Sequence, residues 1–104
     1  TYIDDIIDGL VAAIRYNKSN YEVFNLGESR TVELRELITL LEKELNIRAK
    51  RLRGPEQPGD VPQTFADVTK ARELLGYNPQ TQIEAGLHRF VEWFRGNWSK
   101  MPAR

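Results

Sequence analysis

The opening stretch Thr1-Tyr2-Ile3-Asp4-Asp5-Ile6-Ile7-Asp8-Gly9-Leu10-Val11-Ala12-Ala13-Ile14-Arg15-Tyr16 gives way to a polar break, Asn17 to Asn20, and then to Tyr21-Glu22-Val23-Phe24-Asn25-Leu26-Gly27. Ile3, Ile6, Ile7, Leu10, Val11 and Ile14 recur at i, i+3, i+4, i+7, i+8 and i+11. That is the spacing of one helical face, and it predicts a helix from about Ile3 to Tyr16. Asp4 and Asp5 fall in its first turn, where the helix dipole favours negative charge. Tyr21 to Leu26 is short, apolar and β-favouring, and Gly27 ends it. Few polar positions interrupt it, which predicts a strand buried on both faces, as in a parallel sheet. The class is read as α/β, in the form of an α+β fragment.

Further along, Leu34, Leu37, Ile38, Leu41 and Leu45 predict a second helix, from Leu34 to about Leu45, starting at Thr31 or Glu33. Ala49 to Arg53 reads as a second short strand. Gly54, Pro55, Pro58, Gly59 and Pro62 forbid a long regular element over 54–63 and predict a stiffened loop suited to face a ligand. Asp67 is a candidate N-cap for a short helix from Val68 to Leu75, with Gly76 at the C′ position, where a left-handed backbone is wanted. Tyr77, Asn78 and Pro79 make a turn. The last helix runs from about Ile83 to Trp98 on the stripe Ile83, Leu87, Phe90, Val91 and Phe94, and the tail from Ser99 is expected to fray. The order is α-β-α-β-α-α. Two strands make no persuasive sheet, and the chain opens inside a helical pattern without a methionine or a basic-then-apolar leader. Both features point to a piece of a longer chain, its sheet completed by the parent or by another copy.

Composition narrows the function classes. A length of 104 residues is one domain's worth, and 40% hydrophobic with 29% charged residues is ordinary for a globular protein. No apolar run approaches a membrane span. Fifteen basic residues balance fifteen acidic ones, so neither nucleic acid nor an anionic membrane is expected as a partner. The chain has no cysteine, which excludes disulfide and thiolate chemistry and fits a cytoplasmic location.

Much catalytic equipment is missing as well. No glycine-rich G-x-G-x-x-G or G-x-x-G-x-x-G run follows a strand, so there is no dinucleotide cradle. None of Tyr2, Tyr16, Tyr21 and Tyr77 has a lysine four positions later. His88 is the sole histidine, and on a helix it reads as a surface or packing residue, since a metal site needs more ligands and serine–histidine catalysis has nothing to complete it. Asp4 and Asp8, at i and i+4, read as dipole compensation on a solvated face. No catalytic, metal-binding or cofactor-binding residue is assigned, and the chain alone is expected to be inactive.

Three ordered patterns remain: Thr1-Tyr2-Ile3-Asp4-Asp5-Ile6-Ile7-Asp8-Gly9; Val23-Phe24-Asn25-Leu26-Gly27; and Gln57-Pro58-Gly59-Asp60-Val61, followed by Phe65-Ala66-Asp67, Lys70-Ala71 and Leu74-Leu75-Gly76-Tyr77. In this order and spacing they resemble the carboxy-terminal portion of the extended short-chain dehydrogenase/reductase family, and within it the nucleotide-sugar epimerases. The Gln-Pro-Gly-Asp-Val version is most similar to UDP-glucuronate 4-epimerases. The resemblance covers nearly the whole chain.

It implies a parent whose amino-terminal Rossmann domain holds NAD and the catalytic tyrosine and lysine. Residues 1–26 would then be an edge helix and strand of that Rossmann-type parallel sheet. Residues 27–98 would be a helix-rich subdomain that binds the nucleotide-sugar, a UDP-sugar, and 99–104 a frayed tail. The implied reaction inverts a sugar carbon through a transient 4-keto intermediate, with no NAD expected on this chain. In many relatives the loop reads Arg-x-Gly-Asp, the arginine meeting the diphosphate and the aspartate the ribose hydroxyls. Asp60 keeps that match, and a carboxylate accepts two vicinal hydroxyls well. Gln57 stands in the arginine's place, able to donate to phosphate but without charge. Asn25 reads as satisfying backbone at a strand end. Two other readings stay open: a small binding or interaction domain with no enzymatic parent, and a piece of a dehydratase or reductase. Apolar surface left open on the first helix and strand is expected to drive self-association into a homo-oligomer.

Overall fold

The computed structural model describes residues 1–28 and 30–100. Four helices form: α1 (Ile3–Arg15), α2 (Leu34–Leu45), α3 (Thr69–Leu75) and α4 (Ile83–Asn97), with a 3-10 turn at Trp98–Lys100. They fall into two compact units, Thr1–Thr31 with Glu56–Thr81, and Val32–Pro55 with Gln82–Arg104.

The first unit is built around Val68, Ala71 and Tyr77, against which Phe24, Leu26, Ala66 and Leu75 pack. α1 meets this core with Asp5 and Gly9, its buried residues. Gly9 is there because nothing larger fits. A Cβ at that position would lie 2.7 Å from Leu26 Cδ2 and 2.9 Å from Tyr77 Cε2. Asp5 is buried but satisfied, since its two carboxylate oxygens accept the Gln80 and Thr81 amides at 3.1 and 3.0 Å. This bond ties α1 to the turn that follows α3.

Of the two end signals expected for α3, Gly76 stands as read, whereas Asp67 lies one residue before the N-cap. The Asp67 carboxylate accepts the Thr69 amide at 3.0 Å, which pulls the Asp67 pKa below its ordinary value, chiefly through its hydrogen bonds from Thr69. The helix starts one residue later than expected, with Val68 at the N-cap. At its end Gly76 is left-handed (φ 69°, ψ 22°), and the Tyr77 amide reaches back to the Ala71 carbonyl at 3.2 Å.

Neither expected strand forms among the described residues. A strand is a ladder, and a parallel one needs neighbours to bond. Residues 21–26 and 49–53 belong to different units, and neither segment has another strand beside it. The expectation that Tyr21–Leu26 is buried on both faces also gives way to alternation. Glu22, Phe24 and Leu26 are half-buried while Tyr21, Val23 and Asn25 are exposed, the period-2 pattern of extended chain with one covered side. Around Phe24, the Tyr16 ring packs edge-on at 5.5 Å and the Lys70 ammonium sits 5.7 Å above the ring. Lys70 also pairs with Glu22. The Asn25 amide donates to the Asp67 carbonyl at 3.4 Å. Residues 49–52 are exposed throughout.

In the second unit α2 lies against α4. α2 spans its expected residues, takes Glu33 as N-cap, and stops at Asn46 in the left-handed conformation (φ 55°, ψ 43°). The Arg95 guanidinium donates to the Glu44 and Leu45 carbonyls, each at 3.2 Å, and so satisfies the end of α2. Glu42 clasps the chain beyond, accepting the Ala49 amide at 2.8 Å and Arg51 at 2.7 Å. Gly86 and Val91 are buried on α4. Trp98–Lys100 continues past α4 as the 3-10 turn, and residues 101–104 of the expected tail lie outside the described residues.

Candidate functional site

The loop singled out in the sequence adopts a defined turn. The Asp60 amide donates to the Gln57 carbonyl at 3.1 Å, closing a four-residue reversal with Pro58 and Gly59 at its centre. Proline fixes φ near −65°, as the second residue of a type II turn requires. Gly59 has φ 92°, as the third requires, and this is where a side chain would be strained. The tetrapeptide thus dictates its own geometry, and it brings Gln57 and Asp60 to within about 7 Å of each other at the two ends of the turn. Both are exposed. Among the described residues the Asp60 carboxylate takes no hydrogen bond and no ion pair, so both of its oxygens remain available as acceptors for hydroxyl donors.

A second feature of the same unit has different chemistry. An open hollow of about 160 Å³ is lined by Asp5, Asp8, Ala12, Leu75, Gly76, Tyr77 and Asn78. That is small beside the roughly 300–1,000 Å³ of small-molecule sites, and the Asp5 oxygens are already spent on Gln80 and Thr81. The Tyr77 hydroxyl is buried with no hydrogen-bond partner among the described residues. Burial, followed by the charge of Asp5, pushes the Tyr77 pKa above its ordinary 10.0. A phenol moved further from neutrality is a poor proton carrier at physiological pH.

His88 sits on the exposed side of α4, its Nδ1 2.9 Å from Glu44 Oε2 and its Nε2 3.6 Å from Glu92 Oε1. The Glu44 hydrogen bond, with the Glu92 charge next, raises its pKa above the ordinary 6.5. This is a helix-pairing contact. Among the described residues no group of three or more histidine, cysteine, aspartate or glutamate side chains is placed to hold a metal ion. Asp5 was missed as a key residue, since its place in the first turn of α1 suggested dipole compensation alone. The available signal was its i, i+4 relation to Gly9, which puts a carboxylate and a glycine together on the side opposite the aliphatic stripe.

No family model matches the chain. It is 50% identical over 97 residues to an uncharacterized protein of Methanocaldococcus jannaschii, the match covering 93% of this chain and 29% of that protein. With UDP-glucuronate 4-epimerase 1 of Arabidopsis thaliana it shares 38% identity over 108 residues, 90% of this chain and 25% of the relative. Two solved structures superpose on it. A UDP-glucuronic acid 4-epimerase from Bacillus cereus, in complex with UDP-glucuronic acid and NAD, does so with a TM-score of 0.83 at 36% identity, over 92% of this chain and 31% of that one. A UDP-glucose 4-epimerase from Thermotoga maritima with UDP-glucose gives 0.85 at 34%, over 94% and 31%. The chain spans less than a third of the length of each of these relatives.

Proposed function

The chain is homologous over about nine-tenths of its length to UDP-sugar epimerases of the short-chain dehydrogenase/reductase type, and we propose that it is the nucleotide-sugar-binding part of such an enzyme. The observation that carries this reading is the Gln57–Asp60 turn. It presents an unengaged carboxylate on a backbone stiffened by Pro58 and Gly59. Asp60 accepts the two ribose hydroxyls of the UDP moiety, and Gln57 donates to its diphosphate. Because the turn is ordered by its own sequence, little conformational entropy is lost when ligand binds.

The parent reaction under this proposal inverts a sugar carbon, with UDP-glucuronate the favoured substrate. Residues 1–26 would border the cofactor domain and 27–98 would hold the nucleotide-sugar. This chain's own residues do not fit NAD. It has no glycine-rich turn after a strand and no tyrosine–lysine pair, so the cofactor and the hydride step belong to the rest of the parent. What this chain supplies is a grip on the non-reacting end of the substrate, and binding energy gathered there holds the sugar in place for chemistry elsewhere. Among the described residues no helix is long and apolar enough to cross a membrane. The even charge balance and lack of cysteine support a cytoplasmic setting without nucleic-acid partners.

Calorimetric titration tests the reading. UDP and UDP-glucuronate should bind the chain, NAD should not, and Asp60→Ala should lose about tenfold or more in UDP affinity, the size expected for a hydrogen-bonded charged acceptor. Equal UDP affinity in the variant would sink the role of Asp60.

A further inference from the structure

We draw no further inference here: the strongest candidate, the exposed aromatic patch that Phe90, Trp93 and Trp98 form along α4 and the 3-10 turn after it, carries nothing because nothing in the structure shows what covers it.

Discussion

Replacing Asp5 by alanine removes the acceptor of two backbone amides at once. In the folded chain the Gln80 and Thr81 N–H groups donate to opposite oxygens of one carboxylate, at 3.1 and 3.0 Å, and Asp5 as a whole is only 5% exposed. Hydrogen bonds to a charged acceptor contribute about 1.5–3 kcal/mol each. The adjoining hollow is open and lined by Asp5, so water can re-bond part of what is lost. The summed range is about 3–6 kcal/mol, and with part of it recovered by water the expected destabilisation is about 2–4 kcal/mol, a large fraction of the roughly 5–15 kcal/mol that holds small domains together. Asp5→Asn keeps one acceptor oxygen but presents an amide N–H₂ to the second donor, so it should recover only part of that loss. Asp4→Ala, on the exposed side of the same turn, should cost no more than about 1 kcal/mol as a dipole effect. Urea unfolding followed by circular dichroism reads the stability, and amide hydrogen exchange at Gln80 and Thr81 reads the contact itself. A loss below about 0.5 kcal/mol in Asp5→Ala, with exchange at both amides unchanged, would refute this reasoning.

Three further outcomes are expected. Gly9→Ala brings a methyl within 2.9 Å of the buried Tyr77 ring; the Leu26 terminus can move but the ring has little room, so despite alanine's better helix propensity the variant should lose about 1–2 kcal/mol in the same urea assay. Gly59→Ala forces a side chain onto φ 92° at a cost of about 1–2 kcal/mol, so it should weaken UDP binding in calorimetry although the Asp60 carboxylate is intact. His88 has a folded pKa raised by Glu44 and Glu92, so its stabilising contribution is fully present below the ordinary 6.5 and is lost as pH rises through the folded value. An NMR titration should place its midpoint above 6.5 and return it toward 6.5 in Glu44→Gln. Glu22 and Glu42 act in the opposite direction. The Lys70 hydrogen bond depresses the Glu22 pKa, and the Ala49 amide, then Arg51, depresses that of Glu42, so their contributions are lost as pH falls below the ordinary 4.5.

What was legible in the sequence was whatever a few neighbouring residues decide among themselves. α2 follows from its leucine spacing, the end of α3 from Gly76, the bond at its start from Asp67, and the 57–60 turn from the Pro-Gly pair, because each is a local preference. What was not legible depends on partners distant in sequence or in other molecules. Tyr21–Leu26 has strand composition, but no composition supplies the neighbouring strand. The α1 stripe announces a helix, yet spacing alone does not say which side is covered, and here it is the side carrying Asp5 and Gly9. The pairing of His88 with Glu44 spans two helices and leaves no local trace. For the proposed site, the stiffened loop was readable from its prolines and glycines and the choice of Gln57 and Asp60 came from the resemblance alone, while the anchoring role of Asp5 required the fold.

The most direct test of the central claim is a backbone amide chemical-shift map of the chain titrated with UDP. The account predicts saturable shifts centred on Gln57, Gly59 and Asp60, absent from the map of Asp60→Ala and not produced by NAD. Shifts centred on the Asp5–Tyr77 hollow or on α4, or a turn that stays unperturbed at saturating UDP, would contradict it.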